Sequence, residues 1–260
     1  MADLLVTDEG RVRTLTLDRP DRRNALSHGL VADLRAALDA AAANDSVRVV
    51  VLAGAGKAFC AGADLDAMRA LQTASTPDNL ADSEHLAGLF RQMLTHPKPI
   101  VGRLHGAAIG GGCGLAAACD IAVAEEGLKI GFTEVRLGFV PAIVMVVALR
   151  RMGETAVRDL MLRGHLISGT EAARVGLVTH AVPAERLDEA VGEIAREIAH
   201  ETSASAVALT KAMLAHVPGM GLDEGFTYAA QTNALCRTMP DFQAGIAAFL
   251  DKTAPPWKTA

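Results

Sequence analysis

Aromatic side chains are scarce in this chain of 260 residues, which has seven Phe, one Tyr and one Trp. So few rings give bases little to stack on, which argues against single-stranded nucleic acid as a ligand, and they leave the core to be filled by aliphatic side chains. Positive charge is also short. With 25 Lys and Arg against 30 Asp and Glu the net charge is −5, so no global field draws the chain to DNA, RNA or an anionic membrane, and an anionic ligand has to be held by local groups. Charges interrupt every apolar run well before the roughly 18 residues of a membrane-crossing helix, and the start lacks the basic-then-apolar pattern of a secretory leader. The expectation is a soluble cytoplasmic protein with neither nucleic acid nor membrane as partner. The four cysteines, Cys60, Cys113, Cys119 and Cys236, form no C-x-x-C pair and sit in Ala- and Gly-rich surroundings, a setting for buried free thiols rather than disulfides or structural zinc. The eight histidines contain no H-x-x-x-H pair, and no metal site is expected.

What the chain does have is aliphatic bulk: half of it is hydrophobic and 21% is charged, enough for a compact fold with a large core. Residues 11–17 alternate polar and apolar, as a half-buried strand does. Behind Ser27 as a cap, Leu30, Val31, Leu34, Ala37, Leu38 and Ala41 recur at helical spacing. VRVVVLAG (47–54) is a continuous β-branched run suited to a strand covered on both faces. Residues 100–106, 120–124 and 128–132 read as further strands. Leu86, Leu89, Phe90 and Met93 give a helical stretch that stops before two prolines. Helices follow behind Pro141, over 154–163, and near 184–200, 203–215, 221–236 and 240–251. The first two-thirds therefore mix β and α, and the last third is almost all helix.

Two generic phosphate motifs do not hold up. Gly54-Ala55-Gly56-Lys57-Ala58 lacks the leading glycine and the Ser/Thr of a P-loop, and Gly112 to Ala117 fits G-x-G-x-x-A only far from a first βα unit. More informative are three stretches in order: F-C-A-G-A-D-L (59–65), H-G-A-A-I-G-G-G-C-G-L-A-A-A-C-D (105–120) and G-F-T-E-V-R-L-G-F-V-P (131–141). Two Gly/Ala loops at strand ends can aim two backbone N–H groups at one oxygen atom, which is what an oxyanion hole requires. Glu134 would set a carboxylate beside it. The same residues also read as tight turns with a surface glutamate.

Taken with R-P-D-R-R-N-A-L and S-G-T-E-A-A-R-V-G-L-V, these stretches resemble the enoyl-CoA hydratase/isomerase superfamily, the crotonases, in order and over about residues 11–258. The resemblance implies an α/β fold, a crotonase-like spiral of ββα units forming two roughly perpendicular sheets. A core over 1–195 would hold the CoA and active site, and a C-terminal helical oligomerisation region over 196–260 would support a homotrimer or dimer of trimers. It implies an acyl-CoA thioester as substrate, in the setting of fatty acid metabolism, with no separate cofactor because coenzyme A is part of the substrate. The N–H groups of Ala61 and Gly111 match the family's oxyanion hole. Ala61, Gly62, Ala63 and Asp64 match the CoA-binding segment, with Leu65 near the adenine. Lys57, Arg22 and Arg23 are candidate phosphate partners, and Phe242, Lys252 and Lys258 could complete a CoA site, that of a neighbouring subunit included.

One departure bears on the reaction. Typical hydratases of the family carry a glutamate at the position of Gly114 and a second at the position of Glu134; here only the second is present. A lone Glu134 could add water to a 2-enoyl-CoA in a concerted syn addition, or move a proton from one carbon to another. The bulky apolar segment after it is similar to that of methylglutaconyl-CoA-type hydratases, which favours hydration, a lyase reaction. An enoyl-CoA isomerase is the alternative, and a non-catalytic acyl-CoA-binding protein is the reading from another class. Glu84 and His85 are candidates to replace the missing carboxylate. Asp120 and His105 read as structural, and Glu125 and Glu126 as loop charges.

Overall fold

The β-branched run at 47–54 becomes the centre of the fold. In the computed structural model, which describes residues 3–259, it forms β3 (Val49–Gly54), buried along its whole length. Alternation sends its side chains into two layers. Val50 and Leu52 join the larger apolar core, whereas Val49 and Val51 meet Leu187, Val191, Ala195 and Ala199. Those four recur every fourth residue on one helix (Leu187–Glu201), so a single apolar stripe covers that face of the sheet. Each fully buried Val or Leu among them contributes about 1.5–3 kcal/mol.

The other strands are β1 (Leu4–Glu9), β2 (Val12–Leu17), β4 (Ile100–Leu104), β5 (Ala107–Ile109), β6 (Ile121–Glu125), β7 (Lys129–Gly131) and β8 (His180–Val182). Five of them join β3 in one sheet, in the order β1-β2-β3-β4-β6-β8, and β5 pairs with β7 in a second. Only β1–β2 is antiparallel in the large sheet. The helices are α1 (His28–Ala43), α2 (Leu65–Leu71), α3 (Thr76–Thr95), α4 (Gly111–Ala118), α5 (Ala142–Ala148), α6 (Glu154–Arg163), α7 (Gly169–Arg174), α8 (Leu187–Glu201), α9 (Ala204–His216), α10 (Leu222–Cys236), α11 (Pro240–Leu250) and α12 (Pro256–Thr259).

A repeated path generates the spiral. The chain runs through a strand of the large sheet, then an extended segment in a second layer, then a helix. Isolated bridges join successive second-layer segments: Leu26 to Ala63, Cys60 to Ala108, and Ile130 to Ile167, with β5–β7 between the last two. This stacking brings residues 60–63, 109–111 and 130–134 side by side although they are far apart in sequence. The expected α/β crotonase-type fold with C-terminal helices is observed.

Several elements differ from the sequence reading. The strand expected over 100–106 ends at Leu104, and after His105 and Gly106 the chain enters a separate strand, β5, in the second sheet. β1, β8, α2 and α7 were not anticipated. The expected boundary between residues 195 and 196 falls inside α8, a continuous helix packed on the sheet. No helix among the described residues is long and apolar enough to cross a membrane.

Candidate active site

Glu134 begins a short 3-10 turn (Glu134–Leu137) just beyond β7, closed by Gly138 in the left-handed region. Its carboxylate lies against the backbone of Gly110: a Cβ placed on that glycine would stand 3.1 Å from Glu134 Oε1. Glu134 Oε2 is buried and has no hydrogen-bond partner among the described residues. Burial holds the Glu134 carboxyl above the ordinary glutamate value, with its own backbone N–H pulling the other way. The Cys113 thiol, buried in the first turn of α4, is pushed well up by burial and by the charge of Glu134.

Glu134 lines a cavity of about 430 Å³ enclosed by residues of α1, α2, α3 and α5 together with Ala61–Leu65 and Ile109–Gly111. Its walls are mainly aliphatic, among them Met68, Leu71, Leu86, Ile143 and Val144. Gly111 opens α4, whose N-cap residue Gly110 offers no side-chain acceptor. The Gly111 N–H is therefore an orphan donor at the positive end of a helix, and no acceptor bonds it among the described residues.

The second donor is not the one expected. Ala61 N–H donates to the Arg23 carbonyl at 2.9 Å, so it is spent on the fold. Gly62 then adopts φ +91°, a conformation an L side chain rarely takes, and a Cβ there would stand 2.6 Å from Ile109 O. Beyond this kink Leu26 N–H donates to Gly62 O and Asp64 N–H donates to Leu26 O. Because neighbouring residues of an extended strand face opposite ways, the Ala63 N–H points away from Leu26, to the side of β5 and α4. It has no acceptor among the described residues.

Gly114 supplies space rather than chemistry. A Cβ at that position would stand 2.5 Å from Val144 Cγ1 and 2.9 Å from Phe90 Cζ. The room that a first carboxylate would need is filled by these two apolar side chains.

Other candidates resolve into structural roles. Asp64 caps α2 by accepting from Asp66 N–H and Ala67 N–H, and it pairs with Arg19 at 2.9 Å. Burial opposes its charge, yet Arg19 and the two amides hold its carboxyl below the ordinary aspartate value. Its side chain is thus committed, although the residue borders the cavity. Leu65 is exposed at the rim. His85 also lines the cavity, but Nε2 faces the His28 carbonyl at 3.2 Å, Nδ1 faces Arg35 at 3.5 Å, and the ring stacks on His28; Glu84 is exposed and does not border the cavity. Neither replaces the missing carboxylate. Asp120 accepts from Ile100 N–H and Lys211 Nζ, and His105 meets the Gly56 carbonyl. Glu125 accepts from Gly106 N–H.

Among the basic candidates, Arg22 pairs with Asp66 at 2.8 Å, while Lys57 and Arg23 have no side-chain partner among the described residues. Phe242, Lys252 and Lys258 do not border the cavity, and Lys258 pairs with Glu201. Asn24, fully buried at φ +57°, was missed: its amide donates to Ala55 O and Ala58 O, and its Oδ1 accepts from Arg19 N–H. An Asn inside the turn-forming stretch R-P-D-R-R-N-A-L was the available signal for a left-handed clamp. Among the described residues no group of three or more His, Cys, Asp or Glu is placed to hold a metal ion.

Comparison with known proteins adds an independent line. A family model described as enoyl-CoA hydratase/isomerase matches residues 7–260. A Thermus thermophilus protein provisionally named an enoyl-CoA hydratase is 41% identical over 252 residues, 97% of this chain and 99% of that protein. The 2,3-dehydroadipyl-CoA hydratase of Escherichia coli K12 is 32% identical, with 99% of each chain covered. Among solved structures, an enoyl-CoA hydratase from Mycobacterium smegmatis superposes with a TM-score of 0.92 at 33% identity, covering 98% of each chain.

Proposed function

Because the chain belongs to the enoyl-CoA hydratase/isomerase family, we propose that it adds water to a 2-enoyl-CoA, with Glu134 as general acid and base and the N–H groups of Ala63 and Gly111 holding the thioester oxygen. The observation that carries this reading is the partnerless, buried Glu134 Oε2 in the same cavity as two free backbone N–H groups.

In this reading the ionised Glu134 takes a proton from water as the water oxygen bonds to C3. The electron pair of the double bond moves onto the thioester oxygen, where the two donors and the positive end of α4 stabilise the enolate. Loss of one such donor in other enzymes costs about 3 kcal/mol of transition-state stabilisation. Glu134 then delivers its proton to C2, which regenerates the carboxylate. One carboxylate completes the cycle, and the burial that raises its pKa makes it the better base for the first half. Lys57 and Arg23, without side-chain partners among the described residues, would meet the CoA phosphates, with Leu65 at the rim toward the adenine. The exposed Leu222, Phe226, Phe249 and Leu250 of α10 and α11 fit a homotrimer or dimer of trimers.

A second reading, double-bond isomerisation, is favoured by Phe90 and Val144 occupying the place of the other carboxylate. There Glu134 would take a proton from C2 of a 3-enoyl-CoA and return it to C4. Crotonyl-CoA and a 3-enoyl-CoA, assayed separately with product identification, separate the two. Hydration consumes the conjugated absorbance of crotonyl-CoA and forms a 3-hydroxyacyl ester; reaction of the 3-enoyl ester alone overturns the hydratase reading. Tight binding without turnover over an enoyl-CoA panel would leave an acyl-CoA-binding protein. Glu134→Gln is expected to lower turnover at least about 100-fold with CoA-ester binding retained, and undiminished turnover would remove Glu134 from the chemistry.

A further inference from the structure

The Ala63 donor sits in a segment that is anchored from one side only. At Cys60 the second layer is still bonded to β5: Cys60 N–H donates to Ala107 O, and Ile109 N–H donates to Cys60 O. From Ala61 to Ala63 no hydrogen bond crosses to β5 among the described residues. This stretch hangs instead from residues 23–26. Ala61 N–H donates to Arg23 O at 2.9 Å, Leu26 N–H to Gly62 O at 2.7 Å and Asp64 N–H to Leu26 O at 3.1 Å. The position of Leu26 relative to Asp64 therefore sets the direction of the Ala63 N–H.

Arg19 fastens those two residues together. Its Nη1 donates to Ala25 O at 2.6 Å and meets Asp64 Oδ2 at 2.9 Å. One nitrogen thus spends both of its hydrogens bridging the residue before Leu26 and the residue after Ala63. The bridge is itself held at both ends. Arg19 Nε pairs with Asp3 at 3.1 Å, and Arg19 N–H donates to the buried Asn24 Oδ1 at 2.9 Å. Asp64 Oδ1 accepts from Asp66 N–H and Ala67 N–H at the start of α2.

The Arg19 and Asp64 side chains are only 17% and 8% exposed, and a charge-assisted bond so far from water is stronger than one at the surface. The pair has an electrostatic consequence too. A bare carboxylate one residue from the donor would oppose negative charge arriving on the oxygen that the donor binds; the guanidinium cancels it. Arg19 does not border the cavity, so it acts on that oxygen only through the backbone of residues 62–64.

We propose that Arg19 is a positioning residue for the reaction: by bridging Ala25 O and the Asp64 carboxylate it fixes the Ala63 N–H toward the thioester oxygen of the substrate. The inference rests on the reading in which Ala63 and Gly111 hold that oxygen.

Arg19→Gln removes the bridge and leaves a polar side chain. An interaction that strengthens as charge develops on oxygen shows in kcat, so KM should stay within about threefold of the native value. The kcat for crotonyl-CoA is expected to fall about tenfold to a hundredfold, short of the about 10²–10³ lost when a donor is removed outright. An enolate forms in isomerisation as well, so the same loss is expected with a 3-enoyl-CoA if that is the ester turned over. Asp64→Asn breaks the pair from its other side and keeps a cap on α2; it should act alike, and the double variant should be no slower than either single one. Lys211→Met is the control for lost stability, because it breaks a buried ion pair with Asp120 and neither residue borders the Glu134 cavity. It should leave kcat unchanged.

The direct readout is the infrared carbonyl stretch of bound butyryl-CoA, isotopically labelled at the thioester carbon, which has no double bond to hydrate. Binding to the native protein should lower the frequency, and Arg19→Gln, unlike Lys211→Met, should lose part of that shift. An unshifted carbonyl in the native protein overturns the oxygen-binding reading and this inference with it. A shift that Arg19→Gln keeps in full, or a kcat that falls no further than in Lys211→Met, overturns the role of Arg19 alone. Should Arg19→Gln fail to fold, Asp64→Asn supplies both readings under the same criteria.

Discussion

Gly114→Ala tests how the site is closed, because two opposing effects are of known size. In the interior of a helix, replacing Gly by Ala ordinarily stabilises by about 1 kcal/mol. At Gly114 the new Cβ would stand 2.5 Å from Val144 Cγ1 and 2.9 Å from Phe90 Cζ, whereas apolar carbons pack at about 3.5–4.0 Å. Neither neighbour can swing away freely: Val144 is a β-branched residue buried in α5, and Phe90 is a buried ring in α3. Overpacking of this kind costs about 1–3 kcal/mol. Subtracting the helical gain leaves an expected net loss of about 0–2 kcal/mol, read as a lower urea midpoint at unchanged slope. Val144→Ala removes the closer obstacle, so Gly114→Ala in that background should regain much of its helical benefit, and the double-mutant cycle should yield a coupling of about 1–2 kcal/mol. If Gly114→Ala alone stabilises by the full helical increment and adds independently to Val144→Ala, the packing argument is wrong. A glutamate needs more room than alanine, so Gly114→Glu should lower the midpoint further and add no crotonyl-CoA hydration.

Four other outcomes follow from the same geometry. Because burial raises the Glu134 carboxyl above 4.5, the acid limb of the kcat/KM profile should lie above that value and vanish with Glu134→Gln. The same variant should be the more stable protein near neutral pH by about 1–3 kcal/mol, since it removes an unpartnered buried charge, and the difference should close as pH falls through the raised pKa and the native carboxyl becomes neutral. Asp64→Asn keeps a cap on α2 but loses the Arg19 ion pair. With the folded carboxyl held below 3.8, its stabilisation is fully present above that value and disappears as pH falls through the lower folded one, so the urea midpoints of native and variant should differ at pH 7 and converge in acid. Asn24→Ala strands two carbonyls and one N–H in the interior and forces alanine to φ +57°; a loss of about 3 kcal/mol or more in urea unfolding is expected.

Elements that bury a whole face were legible, and elements defined by their neighbours were not. β3 announced itself because both faces are covered, which demands an unbroken apolar run, and α1 because a 3.6-residue period follows a capping serine whose Oγ accepts from Leu30 N–H. β1 was missed because it is an edge strand with one buried residue, Leu4, so its sequence carries little period-2 pattern. α2 has no buried residue at all and is started by the Asp64 cap, a signal absorbed into the motif F-C-A-G-A-D-L. β8 is three residues long and exists only as the sixth partner in the sheet.

The candidate site divides along the same line, between chemistry held in a side chain and chemistry held in the backbone. Glu134 could be found because a carboxylate is written into the residue type, and the burial that sharpens it follows from the apolar residues around it. A backbone N–H is present at every residue but proline, so Ala61 and Ala63 are indistinguishable by type. What separates them is the left-handed turn at Gly62, which leaves Ala61 bonded to Arg23 and turns the next donor toward α4. Gly114 sits between these cases: the missing carboxylate is visible in the motif, but the side chains that fill its place come from 24 positions earlier and 30 later in the chain. In a site of this construction the glycines that permit φ > 0 or close approach decide which donors are free, so the conformation of Gly62, rather than the identity of its alanine neighbours, decides which N–H groups the fold leaves unbonded.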